Sequence, residues 1–157
     1  MSRFEVFKEI SVGGLTKEEL IQRLVSKGIQ FNKYANELFE HQLFSSENKI
    51  EKVKIAKMKH SDFGLDDLFS YQEFLNRASS DGLRPCPLYL AAFLRLEYLD
   101  QPEGPYLTIA SIKPESDPNY PNGFYIRNHE KSLWLRGYRA DDFCEHPKGN
   151  EFIFLMS

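Results

Sequence analysis

The first hydrophobic pattern along the chain has the spacing of an amphipathic helix. Between Thr16 and Gly28, apolar residues recur three and four positions apart. Thr16 followed by Glu19 forms a capping box, in which each side chain accepts a hydrogen bond from the backbone N–H of the other residue, and Gly28 is a typical helix stop. A second helix is predicted over residues 33–44, behind an Asn32 cap. The short link between the two predicts an N-terminal helical pair.

Further along the chain, the hydrophobic period changes to that of a strand. In residues 49–59, Val53 and Ile55 alternate with lysines, and Met58 stays on the inner face only if a bulge precedes it. The lysines indicate either protection of an exposed sheet edge, which we favour, or contact with a phosphate backbone. Alternation also marks four later segments, with a hairpin link at 128–131 and an exposed loop at 114–122. These segments are residues 106–112, 123–127, Ser132–Tyr138 and Glu151–Met156.

Two further helices are predicted between these strands. Ser70 with Glu73 is a second capping box and opens a helix that runs through Ala78. Pro87 suits the first turn of an apolar helix, and the prolines on both sides of Cys86 predict a buried, reduced thiol. Residues 95–99 either continue this helix or form a strand, because their apolar residues alternate.

These elements predict an α+β fold, in which an N-terminal helical pair is followed by a helix-covered, mainly antiparallel sheet of about four or five strands. The helical pair occupies residues 1–45 as a candidate subdomain. Residues 46–157 form the α+β domain with its C-terminal antiparallel sheet. Short links between successive strands favour a meander.

Composition and charge exclude several classes of function. The chain is 41% apolar and 27% charged, which is ordinary for a globular protein. A net charge of -3 provides no overall positive field that would attract nucleic acid or an anionic membrane. No apolar run approaches the ~20 residues of a membrane helix, and no apolar leader segment begins the chain. We therefore expect a cytoplasmic protein with reduced cysteines, Cys86 and Cys144.

Three segments resemble a pattern that recurs in a group of bacterial proteins of unknown function. They read GLRPCP at residues 82–87, LRLEYLDQPEG at 94–104 and LWLRG at 133–137. The resemblance extends from about Lys52 to Phe154 and implies a bacterial, cytoplasmic protein. It implies no activity and no functional role for any residue.

The main candidate binding site is a row of aromatic and arginine side chains on the last hairpin. By the two-residue period, Trp134, Arg136 and Tyr138 share one face of their strand, and Arg139 and Asp141 follow in the adjoining loop. Trp, Tyr and Arg are the residues that most often contribute large binding energies. We predict a binding site there for a planar, anionic or peptide ligand, completed by the 114–122 loop. The alternative is that this face is core, with Arg136 paired with an acid.

The motifs favour a function without catalysis. No P-loop, GxGxxG or G-x-S-x-G is present. Cys144 and His146 supply two ligands where a zinc site needs three or four, so neither a metal nor a cofactor is predicted. The enzymatic alternative is a small hydrolase-like protein that uses Asp141, Asp142 or His146.

The N-terminal pair is similar to the helix–extension–helix of SAP-like DNA-binding modules. That resemblance implies phosphate contacts from basic residues, and it requires four lysines on one surface, Lys17, Lys27, Lys52 and Lys54. Acidic residues on both helices balance the local cations, so nucleic acid is not the expected partner. We predict a bacterial binding or protein-interaction module whose partner is another protein or a small ligand.

Overall fold

The computed structural model describes residues 5–45, 48–59, 62, 71–104, 106–117, 119–139 and 151–156. Within these residues the chain forms eight strands and four helices. The strands are β1 (Lys8–Val12), β2 (Gln30–Phe31), β3 (Glu51–Lys59), β4 (Leu83–Arg84), β5 (Leu107–Ile109), β6 (Gly123–His129), β7 (Ser132–Tyr138) and β8 (Glu151–Met156). The helices are α1 (Lys17–Ser26), α2 (Lys33–Phe39), α3 (Tyr71–Ser80) and α4 (Leu88–Glu97).

All eight strands belong to one mixed sheet that curls into a half-barrel. The strand order is β1-β3-β8-β5-β6-β7-β2, and β4 also pairs with β8. Two of the pairings are parallel, β2 with β7 and β5 with β8, and the others are antiparallel. The last strand of the chain therefore lies inside the sheet, between β3 and β5.

This architecture corrects the predicted fold class. The sheet has eight strands among the described residues rather than four or five, and it is mixed rather than a meander. The N-terminal segment is more than a helical pair, because it also supplies β1 and β2, the two edge strands of the main strand order. Strands of two residues, such as β2 and β4, are too short to produce an alternating pattern. Non-sequential parallel pairing leaves no signal in the local sequence.

Three of the four predicted helix ends in this segment are confirmed. Thr16 and Glu19 form the reciprocal capping box, with distances of 3.0 and 3.1 Å between the backbone nitrogen of one residue and the side-chain oxygen of the other. The hydrogen bonds from Thr16 lower the pKa of the Glu19 carboxyl. Gly28 has a φ of 76°, a conformation that favours glycine. Asn32 caps α2, but that helix ends at Phe39 rather than residue 44.

The lysine-rich strand β3 differs from its prediction in two ways. It pairs with β1 on one side and β8 on the other, so it is not an exposed edge. Its register is continuous through Met58, without the predicted bulge. Ile55 and Met58 are both buried because they face different cores on opposite sides of the sheet. An alternating pattern assumes one buried face, and this strand has two.

The larger core lies on the inner side of the sheet around α4. This helix continues through Glu97, so the alternative of a strand at 95–99 is wrong. It is buried on nearly all sides, which removes the polar stripe that identifies an amphipathic helix. The predicted burial of Cys86 just before this helix is confirmed. Burial raises the pKa of the Cys86 thiol.

The smaller core lies on the outer side of the sheet, beneath α3. Phe74 of α3 contacts Phe152 and Phe154 of β8, with ring centroids 4.6 and 5.4 Å apart. The helix occupies the predicted region, and Gly82 follows its end with a φ of 91°. The predicted cap residue Ser70 lies outside the described residues, as does Cys144.

The C-terminal strands largely follow the alternation. The bounds of β7 and β8 are those predicted, whereas β5 is shorter than residues 106–112 and β6 extends beyond Arg127 to His129. The β6–β7 hairpin closes through Glu130 and Lys131, which both have positive φ values. Residues with positive φ at both central positions are typical of the type I′ turn, whose twist matches that of a hairpin.

Candidate binding surface

The predicted binding residues lie on the outer face of the β6–β7 hairpin. Trp134 is opposite Arg127, and Arg136 is opposite Tyr125, so all four side chains project from one side of the sheet. We call this surface the aromatic–arginine face. It consists of Tyr106, Tyr125, Arg127, Trp134, Arg136 and Tyr138, and each of these residues is partly exposed.

Stacking contacts organise the aromatic–arginine face. The guanidinium carbon of Arg136 is 4.6 Å from the Trp134 ring centre and 5.9 Å from that of Tyr125. Tyr125 in turn lies 4.9 Å from Tyr106 and 6.4 Å from Tyr138, measured between ring centroids. Stacking holds a guanidinium by its face and leaves its N–H groups available to acceptors in its plane.

The two arginines of this face have no acidic partner within the described residues. No ion pair joins Arg127 or Arg136 to a carboxylate there. The Nε atoms of both are buried and lack a hydrogen-bond partner. A buried N–H without an acceptor is costly, so such groups are usually completed by water.

The helices leave this part of the outer face uncovered in the described structure. Helices α2 and α4 lie on the inner side, where α4 contacts β6 and β7 and Ala35 of α2 approaches Gly137. On the outer side α3 covers β8. The inner residues Ile126 and Leu135 are fully buried, whereas Trp134 and Tyr138 on the outer side are only partly so. This hairpin therefore has one core face and one partly exposed face.

The remaining predicted site residues are placed differently. Arg139 turns away from the face, with its guanidinium carbon 5.4 Å from the Tyr34 ring and a 3.2 Å hydrogen bond from Nη1 to Oδ1 of Asn119. Asn119 belongs to the 114–122 loop, so this loop does meet the end of β7. Asp141, Asp142 and His146 lie outside the described residues.

Sequence reasoning missed Tyr106, Tyr125 and Arg127. The signal for two of them was available, because a two-residue hairpin turn fixes the cross-strand register. Once Glu130 and Lys131 form the turn, Tyr125 and Arg127 must lie opposite Arg136 and Trp134. Tyr106 was harder to predict from the sequence, because its position depends on how β5 pairs with β6.

A buried arginine supports the face from beneath. Arg95 donates hydrogen bonds from Nη1 to the carbonyls of Arg127 and Trp134, at 3.4 and 3.3 Å, and to Oε1 of Gln101 at 2.7 Å. Its Nη2 donates to the carbonyl of Tyr98. Burial lowers the pKa of Arg95 to about 10, so the side chain remains charged near neutral pH. Two carbonyls that hold Arg95 thus belong to residues of the aromatic–arginine face.

A polar cavity of about 580 Å³ lies near α2 and the 114–122 loop. The backbone N–H of Leu43 donates to Nδ1 of His41 at 3.0 Å, so in the neutral ring Nε2 carries the proton and faces Oε1 of Glu115 at 2.8 Å. Burial, followed by the charges of nearby glutamates, raises the pKa of the Tyr120 phenol in its wall. This negative region contrasts with the arginines of the aromatic–arginine face.

No group of three or more potential metal ligands occurs within the described part of the chain.

The fold and its surface define an α+β protein with a curled mixed sheet and an exposed aromatic–arginine face. Comparisons with protein-family models, curated proteins and solved structures find no match. None of the helices among the described residues combines the length and apolar character needed to cross a membrane.

Proposed function

We propose that this chain is a non-enzymatic binding protein whose aromatic–arginine face holds an acidic segment of a partner protein. One observation carries this proposal. The Arg136 guanidinium is stacked on Trp134 at 4.6 Å, and no carboxylate of the described structure pairs with it. A cationic group that is held partly away from water is strongly stabilised by pairing with an anion. A ligand carboxylate would complete this arrangement.

The spacing of the two arginines supports an extended acidic peptide. Arg127 and Arg136 occupy diagonal positions on β6 and β7, and such positions are roughly 7–8 Å apart in an antiparallel pair. In an extended peptide, side chains two residues apart point the same way at roughly 6.5 Å, given roughly 3.3 Å per residue. Acidic residues at alternate positions therefore match the two guanidinium groups, and the rings supply contact area for the residues between them.

Binding can be measured directly, because Trp134 is the only tryptophan in the chain. The probe is a short capped peptide of alternating Glu and Val, which has no fluorescence of its own in this range. We expect a saturable change in Trp134 fluorescence with this peptide and none with the matched peptide of alternating Gln and Val. Fluorescence anisotropy of the labelled peptide gives an independent affinity.

Variants at the arginine test the proposed contact. Arg136→Gln should weaken peptide binding by about tenfold or more, because hydrogen bonds between charged groups contribute about 1.5–3 kcal/mol. The matched control is Arg23→Gln, which removes the same charge from the exposed surface of α1. Equal affinities for these two variants would contradict the proposal.

The nucleic-acid alternative receives less support from the geometry. Lys52 and Lys54 share their face of β3 with Met58, on the outer side of the sheet. Helix α1, which carries Lys17, contacts α4 on the inner side. The same binding measurement with an oligonucleotide in place of the peptide tests this alternative. Tight binding that weakens steeply with salt would report counterion release from phosphates and would replace the peptide proposal.

The hydrolase alternative depends on Asp141, Asp142 and His146, which lie outside the described residues. The bacterial source and the cytoplasmic location implied by the sequence belong to the proposal as well. A free, buried Cys86 is compatible with a reducing compartment.

A further inference from the structure

A second cavity, of about 510 Å³, opens on a different part of the surface. This cavity is lined by residues 84–89 and by Leu43, Ser45, Ser111 and Ile112, and we take Pro85, Cys86 and Pro87 as its floor. We call it the Pro-Cys-Pro groove. Its residues are separate from those of the aromatic–arginine face. Its volume falls in the range of about 300–1,000 Å³ that is typical of small-molecule sites.

The floor of this groove is poor in hydrogen-bond donors. Pro85 and Pro87 have no backbone N–H, and the N–H of Cys86 already donates to the carbonyl of Ala110 at 2.7 Å. The Cys86 thiol is directed to the carbonyl of Ile153, at 3.7 Å, and is buried. A ligand that covers this floor therefore needs an apolar body, because the floor cannot satisfy its polar groups.

The sides of the groove expose large apolar side chains. Ile112 is 68% exposed and Leu43 is 54% exposed, and both line the groove. They are two of the six large hydrophobic side chains that are exposed in the described structure. Apolar side chains gathered at one cavity, rather than scattered singly, are typical of a binding site.

Among the described residues, one charged side chain lines the groove. Arg84 is exposed, and no ion pair joins it to an acid within the described residues. The strand pairing of β4 with β8 anchors its backbone at the groove. An apolar groove with a single cation is complementary in charge to a ligand with one anionic end.

We propose that the Pro-Cys-Pro groove binds a small amphipathic carboxylate, such as a medium-chain fatty acid. The apolar chain lies between Leu43 and Ile112 on the proline-flanked floor, and the carboxylate pairs with Arg84. This site is independent of the proposed peptide-binding face, because the two share no residue.

The test is a titration of the intact chain with decanoate, below the concentration at which decanoate aggregates. Methyl NMR signals of Ile112 and Leu43 report on the groove, and calorimetry gives the affinity. Decanol, which lacks the charge, should bind about tenfold or more weakly than decanoate. Octanoate should bind more weakly than decanoate, by about two- to fourfold for each methylene removed.

Two exposed positions provide variants that leave the core intact. Arg84→Gln should weaken the binding of decanoate by about tenfold or more and leave the binding of decanol unchanged. Ile112→Ser should weaken the binding of both ligands. The matched controls are Arg77→Gln on α3 and Val25→Ser on α1, which are exposed and lie outside the groove. Unchanged urea midpoints verify that each variant is folded.

Several results would overturn the proposal. Decanoate that leaves the Ile112 and Leu43 methyl signals unshifted would exclude the site. Equal decanoate affinities for Arg84→Gln and Arg77→Gln would exclude the charge pairing. Preferential binding of a short apolar peptide with a free C-terminal carboxylate would replace the fatty acid by a protein terminus. Arg136→Gln should not alter decanoate binding, so failure of the peptide proposal remains distinguishable from failure of this one.

Discussion

At the scale of single residues, Arg95 is the one buried charged side chain among the described residues. It is fully buried, yet its hydrogen bonds go to neutral oxygens of Tyr98, Gln101, Arg127 and Trp134 rather than to a carboxylate. Arg95 therefore adds a donor to carbonyls at the end of α4 and in the hairpin. Arg95 is a positioning residue that joins the central helix to the strands of the aromatic–arginine face.

We expect Arg95→Met to lower the free energy of unfolding by about 2–4 kcal/mol. Each acceptor that loses its donor costs about 1–3 kcal/mol, and relief from burying a charge offsets part of that loss. Urea unfolding gives the measurement. Arg77→Met on the exposed side of α3 is the control and should stay within about 0.5 kcal/mol of the wild type. Equal effects of the two substitutions would contradict the supporting role of Arg95.

The buried thiol of Cys86 predicts a pH dependence of stability. Its pKa is raised in the folded state by burial, so the folded chain retains a proton that the unfolded chain loses above about pH 8.5. Because the folded state then binds more protons, stability should fall as the pH rises through this region, by up to about 1.4 kcal/mol per pH unit. The stability contribution is fully present below about pH 8.

Urea unfolding at about pH 7.5 and about pH 9.5, with wild type and Cys86→Ala, isolates this effect. All other ionisable groups are common to both proteins, so their contributions cancel in the comparison. The wild type should lose more stability than the variant between the two pH values. Parallel losses would mean that the thiol already titrates normally in the folded chain.

At the scale of elements, α2 is attached to β7 by a close backbone contact and by one side chain. Oδ1 of Asn32 accepts hydrogen bonds from the N–H of Ala35 and of Gly137, both at 2.9 Å. Its Nδ2 donates to the carbonyl of Gly137 at 2.9 Å. The helix cap therefore also continues the pairing of β7 beyond the two residues of β2, and α2 and β7 form one unit.

Gly137→Ala tests this attachment. A Cβ at this position would lie 2.6 Å from the carbonyl carbon of Tyr34 and 2.8 Å from the backbone nitrogen of Ala35, so the helix backbone must shift. We expect a loss of about 1–3 kcal/mol in the free energy of unfolding, as for other overpacked sites. Ser132→Ala, on the outer face of the same strand, is the control and should have little effect. A neutral Gly137→Ala would show that α2 moves freely against β7.

At the scale of the whole molecule, one inner core joins both ends of the chain. It contains Leu24 of α1 and Leu38 of α2 together with Leu135 of β7 and Ile153 of β8. The N-terminal strands also close the sheet at both ends of its main order. The division at residue 45 remains a prediction, and the shared core favours one cooperative unit.

Leu24→Ala distinguishes one unit from two. Leu24 is fully buried, so its truncation should cost about 2–5 kcal/mol. In a single cooperative unit this loss appears equally in Trp134 fluorescence, which reports on β7, and in far-UV circular dichroism. An unchanged fluorescence transition, with an earlier separate loss of helical signal, would show that residues 1–45 unfold independently.

The sequence by itself determined the features that depend on near neighbours. Thr16, Gly28 and Asn32 set helix ends because a cap satisfies backbone groups only a few residues away. The bounds of β7 and β8 follow from alternation along one strand. The shared face of Trp134, Arg136 and Tyr138 follows from the same period.

Only the tertiary structure decided which distant segments meet. Alternation defines a strand but does not select its partner, so nothing local placed β8 between β3 and β5. Burial of Arg95 likewise depends on carbonyls from α4, β6 and β7 converging at one point. The Pro-Cys-Pro groove forms because Leu43, Arg84 and Ile112 are brought together from three separate parts of the chain. Such contacts depend on strand order and on how the helices cover the sheet, and those are properties of the folded chain as a whole.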